Sequence, residues 1–97
     1  MTFIVKGKMW KYPGFGGWHF FTVRKVVSGK IKNVMHGRLR GFGSIRVTAK
    51  IGTSEWKTSI FPTKEGEYLL PIKADVRKKE AIEDGNAIKV QLTLSDV

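Results

Sequence analysis

The sequence predicts a mainly β domain: a small split or closed β-barrel of about six strands with one or two short helices, formed by residues 1–97 as a single unit. The dominant hydrophobic period is two rather than 3.6. Ile45, Val47, Ala49 and Ile51 alternate with Arg46, Thr48 and Lys50, and Ile88-Lys89-Val90-Gln91-Leu92-Thr93-Leu94 repeats the pattern. Short alternating segments separated by Gly and Pro are the signature of a small barrel or sandwich.

The elements follow in order. Phe3–Tyr12 reads as a strand and Tyr12-Pro13-Gly14-Phe15-Gly16-Gly17 as the turn that ends it; Trp18–Val23 is the next strand. Arg24–Asn33 places Val27, Ile31 and Val34 on one helical face, against a cost of ~1 kcal/mol for Gly29. Asn33–Gly43 carries glycines at 37, 41 and 43 and is expected to be a long, mobile loop. Ile45–Ile51, Glu55–Phe61, Tyr68–Ile72 and Ile88–Leu94 complete the strands. Between the last two, Lys73–Ala81 reads as a short helix. Its Asp75 and Lys79 stand at i,i+4 with the acid leading, worth ~0.3 kcal/mol on an exposed face, and Gly85 lies beyond its end.

Two of these segments resemble each other at an offset of 49. Tyr12-Pro13 falls on Phe61-Pro62, Phe20-Phe21 on Leu69-Leu70, Val23 on Ile72, Arg24 on Lys73 and Val27 on Val76. If the match is more than chance, two related strand–helix–strand halves close one barrel about a pseudo-twofold axis.

Several stretches together resemble one family. They are Gly17-Trp18-His19-Phe20-Phe21, then Gly41-Phe42-Gly43-Ser44-Ile45-Arg46-Val47-Thr48-Ala49-Lys50-Ile51-Gly52, then Trp56-Lys57-Thr58-Ser59-Ile60-Phe61-Pro62, and the run from Tyr68 to Lys79. The chain resembles the DUF1905 family, a small prokaryotic domain of unknown function. The resemblance implies a split β-barrel similar to two fused halves of the AbrB/MazE swapped-hairpin fold. Leu70-Pro71-Ile72 leading into Val76-Arg77-Lys78, and then Glu83-Asp84-Gly85-Asn86 before a strand, looks like the AbrB-type strand, Pro, helix, turn and strand. Asn86 stands where that turn usually has Asp, a change a turn accepts. Thr22-Val23-Arg24 replaces the Leu-Pro step often found in the first half. The resemblance implies a fold and assigns no activity.

Charge is distributed unevenly. The net charge is +10, yet no acid precedes Glu55: residues 1–54 carry 11 basic residues, and residues 55–97 carry 7 basic and 8 acidic ones. A basic half points to a polyanion such as nucleic acid. Arg38 and Arg40 sit in the glycine-flanked loop, Arg46 and Lys50 project from the polar face of one strand, and Lys6 and Lys8 from another. Trp10 and Tyr12 share the parity of Lys6 and Lys8, so aromatics interleave with cations as in single-strand binders. The competing reading is a solvated lysine surface that blunts strand edges.

A second candidate is a small-molecule or protein-interaction pocket near Trp18, Trp56 and Thr58. Trp56, Thr58 and Ile60 share one strand face, and a barrel that is not fully filled would let hydroxyls and rings line a cavity. A filled core is the alternative.

Catalysis has no comparable support. His19 and His36 belong to no spaced metal pair, there is no cysteine, and no serine lies in a Gly-x-Ser-x-Gly context. No catalytic residue, metal or cofactor is assigned. Arg24, Lys73 and Arg77 flank the helix starts and could bind a phosphate there, against which surface solvation is the simpler reading. The N-terminus lacks the apolar run of a signal peptide, and no stretch approaches the ~20 apolar residues of a membrane span. The expected setting is cytoplasmic, and the expected state is a monomer.

Overall fold

A computed structural model describes residues 1–37 and 43–95. These form β1 (Thr2–Lys11), a 3-10 turn at Phe15–Gly17, β2 (His19–Val23), α1 (Lys25–Val34), β3 (Ile45–Ile51), β4 (Ser54–Pro62), β5 (Tyr68–Pro71), α2 (Ala74–Lys79) and β6 (Ala87–Leu94). The six strands close into a barrel in the order β1-β2-β5-β4-β3-β6, with every pairing antiparallel. The mainly β class, the strand count and the two short helices are those predicted. Of the expected loop at Asn33–Gly43, Asn33 and Val34 end α1, and Arg38 and Arg40 lie outside the described residues.

The period-two pattern becomes the barrel wall. Along β3, Ile45, Val47, Ala49 and Ile51 are buried and Arg46 and Lys50 exposed, because successive side chains of a strand point to opposite faces. Inside, Phe21, Tyr68, Met9, Leu70, Ile60 and Leu92 are fully buried. Among the described residues these side chains fill the barrel interior. Burial pushes the Tyr68 phenol above its ordinary pKa.

The halves are related as the repeat suggests. Exchanging β1 with β4, β2 with β5 and β3 with β6 leaves the cyclic strand order unchanged. Phe21 pairs with Leu70, its own counterpart at the offset of 49, so the pseudo-twofold axis passes between them. The offset changes along the chain, however. Trp10↔Phe20 corresponds to Phe61↔Leu69, which makes Trp10, rather than Tyr12, the counterpart of Phe61.

Each helix caps one end of its half by the same device. The Ser28 hydroxyl in α1 donates to Val23 O at 2.7 Å, and Arg77 Nε in α2 donates to Ile72 O at 3.2 Å. Donor and acceptor are repeat counterparts in both cases. Ser28 is fully buried with Val27 and Ile31 on the inner face of α1. Gly29 is on the outer side, and a Cβ there would meet nothing within 4 Å. Gly29→Ala should therefore stabilise the domain by ~0.5–1 kcal/mol through helix propensity alone. A rise in the urea midpoint at unchanged m-value checks it.

The turn between β3 and β4 is held by Glu80, the residue that ends α2. Gly52 has φ +58, and a Cβ there would run into the Glu80 carboxylate. Glu80 Oε2 accepts from Ser54 Oγ at 2.6 Å and Thr53 Oγ1 at 3.2 Å. Those hydroxyls, Ser54 first, hold the Glu80 carboxyl below its ordinary pKa.

Candidate anion-binding cleft

The barrel is least completely paired between β4 and β5. β4 pairs with β3 from Ser54 to Ile60, but its ladder with β5 covers only Phe61↔Leu69 and Pro62↔Tyr68. From there the chain after β5 turns away into α2, and a cleft of about 600 Å³ opens along the seam. Trp56 and Thr58, on the inward face of β4, supply its floor. Trp18 and His19 form one wall, while Lys73 and Arg77 stand on the side of α2.

The side chains here are one-sided in charge. Arg46, Lys57, Lys73 and Arg77 all line the cleft, and none of its described lining residues is acidic. Arg46 pairs in register with Ser59, which brings the outer face of β3 to the cleft rim. Lys57 is exposed, whereas Arg77 is half-buried and oriented by its bond to Ile72 O. An arginine anchored through Nε still carries its Nη donors, the fork that recognises phosphate or carboxylate. His19 Nδ1 lies 2.7 Å from Gly17 O; a carbonyl only accepts, so Nδ1 is the donor of that bond. Four like charges around one groove repel one another, and a bound anion would relieve that repulsion.

Residues 6–92 match the family model described as a domain of unknown function, DUF1905. The chain belongs to the DUF1905 family. No curated protein matches it at a significant level. The span that defines this DUF1905 domain runs from β1 into β6 and contains every residue lining the cleft.

The residues singled out in the sequence separate into two places. Trp18, Trp56 and Thr58 come together in the cleft, joined by Arg46 from the basic set. Lys50 is on the same strand face as Arg46 but four residues along it, about 13 Å away, directly opposite Glu55 on one side and Gln91 on the other. Lys6 faces Lys89, and Lys8 faces Ala87. These three lysines lie outside the cleft lining, so of the four described members of the basic set only Arg46 reaches the cleft; Arg38 and Arg40 lie outside the described residues.

Lys57 is not among the site residues read from the sequence. Lys73 and Arg77 carry a phosphate reading there, as cations expected near the start of the second helix, with solvation preferred; Lys73 caps α2 and Arg77 falls in its last turn. Only the fold puts Lys57 beside them. Among the described residues no group of three His, Asp or Glu could hold a metal ion, and no helix is long and apolar enough to cross a membrane.

Proposed function

We propose that this DUF1905 domain is a non-catalytic binding module for a polyanion, nucleic acid first, and that the cleft between β4 and α2 receives the ligand's phosphates. The observation that carries this reading is the convergence of Arg46, Lys57, Lys73 and Arg77 around one groove without a lining acid. The net charge of +10 adds long-range attraction. The pseudo-twofold barrel is what an AbrB-type relationship implies, and AbrB-like folds include DNA-binding members; that support is by analogy. Both halves of the barrel are in one chain, which favours a monomer, and a nucleic-acid ligand suits the cytoplasmic setting expected from the sequence.

Fluorescence anisotropy with a labelled oligonucleotide over a range of salt concentrations tests the proposal. Binding should weaken with salt by ~0.7 log units per log unit for each phosphate neutralised on a single strand. Arg46→Ala combined with Lys57→Ala should lower that slope by about 1.4. Lys6→Ala combined with Lys50→Ala removes the same charge from outside the cleft and should leave the slope nearly unchanged. Absence of binding at low salt would overturn the reading, and a slope that follows Lys6 and Lys50 instead would move the site.

A second reading is a small-ligand or protein-interaction pocket at Trp18, Trp56 and Thr58. Its support is the cleft volume of about 600 Å³, a size that suits small ligands. A thermal-shift screen with metabolites distinguishes it, because a ligand of the folded state raises apparent stability by mass action.

A further inference from the structure

The outer wall beside the cleft is apolar where a barrel exterior is normally polar. Tyr12, Trp18, Phe20, Phe61, Leu69 and Pro71 line a shallow depression of about 340 Å³ with no charged residue among them. Tyr12 is 49% exposed, Trp18 57% and Phe61 46%. Such a contiguous patch marks an interaction surface rather than ordinary surface apolarity.

Its rings are already organised. Trp18 lies parallel to Phe20, with centroids 6.0 Å apart and planes 7° apart. Phe20 is braced from two more sides, by Trp10 at 5.3 Å and by Tyr12 edge-on at 6.4 Å. The Trp10 indole is itself held by Nε1–H donating to Thr22 Oγ1 at 2.9 Å. Trp18 is thus backed by a fixed cluster and more than half open to solvent, which is the form of a stacking platform. The platform is continuous with the cation-lined groove, since Trp18, Phe61 and Pro71 line both.

We propose that this aromatic wall stacks unpaired bases, so that the ligand is a single-stranded nucleic acid with its phosphates in the cleft and its bases on Trp18, Tyr12 and Phe61. The inference rests on the polyanion reading of the cleft and specifies its ligand. A single strand offers both partners at once: a charged backbone for the groove and free π-faces for the wall. A duplex keeps its base faces inside its own stack, and a bare polyphosphate has none. An acidic polypeptide would satisfy the cations but has no reason to prefer rings braced as a platform.

Four probes of similar length separate these cases: single-stranded oligothymidine, the corresponding duplex, inorganic polyphosphate and polyglutamate. The single strand should bind tightest and quench tryptophan emission. Tyr12→Ala, at a ring of the platform that does not line the cleft, should weaken single-strand binding by about tenfold, the scale of one lost stack, with affinity for polyphosphate unchanged. Trp18→Ala and Phe61→Ala should also weaken single-strand binding, and Trp18→Ala should lose the quenching. Trp18→Phe should restore much of the affinity, and circular dichroism melts establish that each variant folds. Equal binding of oligothymidine and polyphosphate, insensitive to Trp18→Ala, would overturn base stacking and leave the polyanion reading standing. Preference for the duplex or for polyglutamate would overturn it too. Failure of all four probes to bind would overturn the polyanion reading itself.

Discussion

Phe21→Ala should cost the domain ~3–5 kcal/mol, the range for deleting a fully buried phenyl ring. Phe21 is 0% exposed and belongs to the β2 strand that meets β5 at the pseudo-twofold axis. On the neighbouring strand β1, two residues from Phe21's partner Met9, the inward position is Gly7, where a Cβ would stand 3.0 Å from the Phe21 ring. The ring therefore occupies the space a β1 side chain would otherwise take. Its removal leaves a void with no neighbouring side chain at Gly7 to collapse into it. Against a typical domain stability of ~5–15 kcal/mol, the loss is large, and the thermal midpoint should fall on the order of 20 °C. Thermal and urea melts followed by circular dichroism measure it. A loss below ~1.5 kcal/mol would mean that the core closes over the gap. Gly7→Ala is the complementary variant: strained beside Phe21, it should be better tolerated with Phe21→Leu, a coupling that a double-mutant cycle reads directly.

Ser28→Ala should cost ~1–3 kcal/mol although it removes one oxygen atom. The buried Ser28 hydroxyl donates to Val23 O and accepts from Tyr68 N at 3.1 Å. It thereby joins α1 to β2 in its own half and to β5 in the other. With alanine, both backbone groups are left unpaired away from water, and it is this desolvated pair that sets the magnitude. The urea midpoint should drop at constant m-value, with faster hydrogen exchange at the Tyr68 amide. An unchanged midpoint with an unchanged exchange rate would show that the two groups find other partners. The repeat counterpart, Arg77, makes only the equivalent of the first bond and also lines the cleft. The first half thus closes its seam with a small buried hydroxyl, where the second half places a long cation at an open groove.

How far the sequence could be read follows from the physics of each feature. Strand faces were legible because alternation is local: the in-out order of Ile45 to Ile51 needs only the residues themselves. The relation of the halves was visible at β2 and β5, where counterparts pair across the axis, and lost register at β1 and β4, where Trp10 replaces Tyr12. The meeting of Trp18, Trp56 and Thr58 was anticipated from aromatic and hydroxyl content, but the cavity expected inside the barrel is a cleft in its wall. The cleft could not be read directly, because it exists where a ladder stops, and ladder length is a property of two distant segments. Parity likewise assigned Arg46 and Lys50 to one face without showing that strand length carries them to different surroundings.

Barrel closure sets an order of events for the growing chain. β1 is bonded on one flank to β6 from Thr2↔Thr93 to Lys8↔Ala87, so most of the first strand made has its partner in the last. A ribosome-bound chain that has completed β5 and α2 can pair β2 with β5 and β3 with β4, but β1 and β3 each keep an unmatched edge until β6 emerges. Pairings of such long sequence separation are slow to form, and edges exposed meanwhile invite pairing with other chains. Lys6 and Lys8 stand along that waiting edge of β1, and Lys50 along that of β3. The lysines that the cleft does not use are well placed to keep nascent chains apart, a gatekeeping role that would be spent once the barrel shuts.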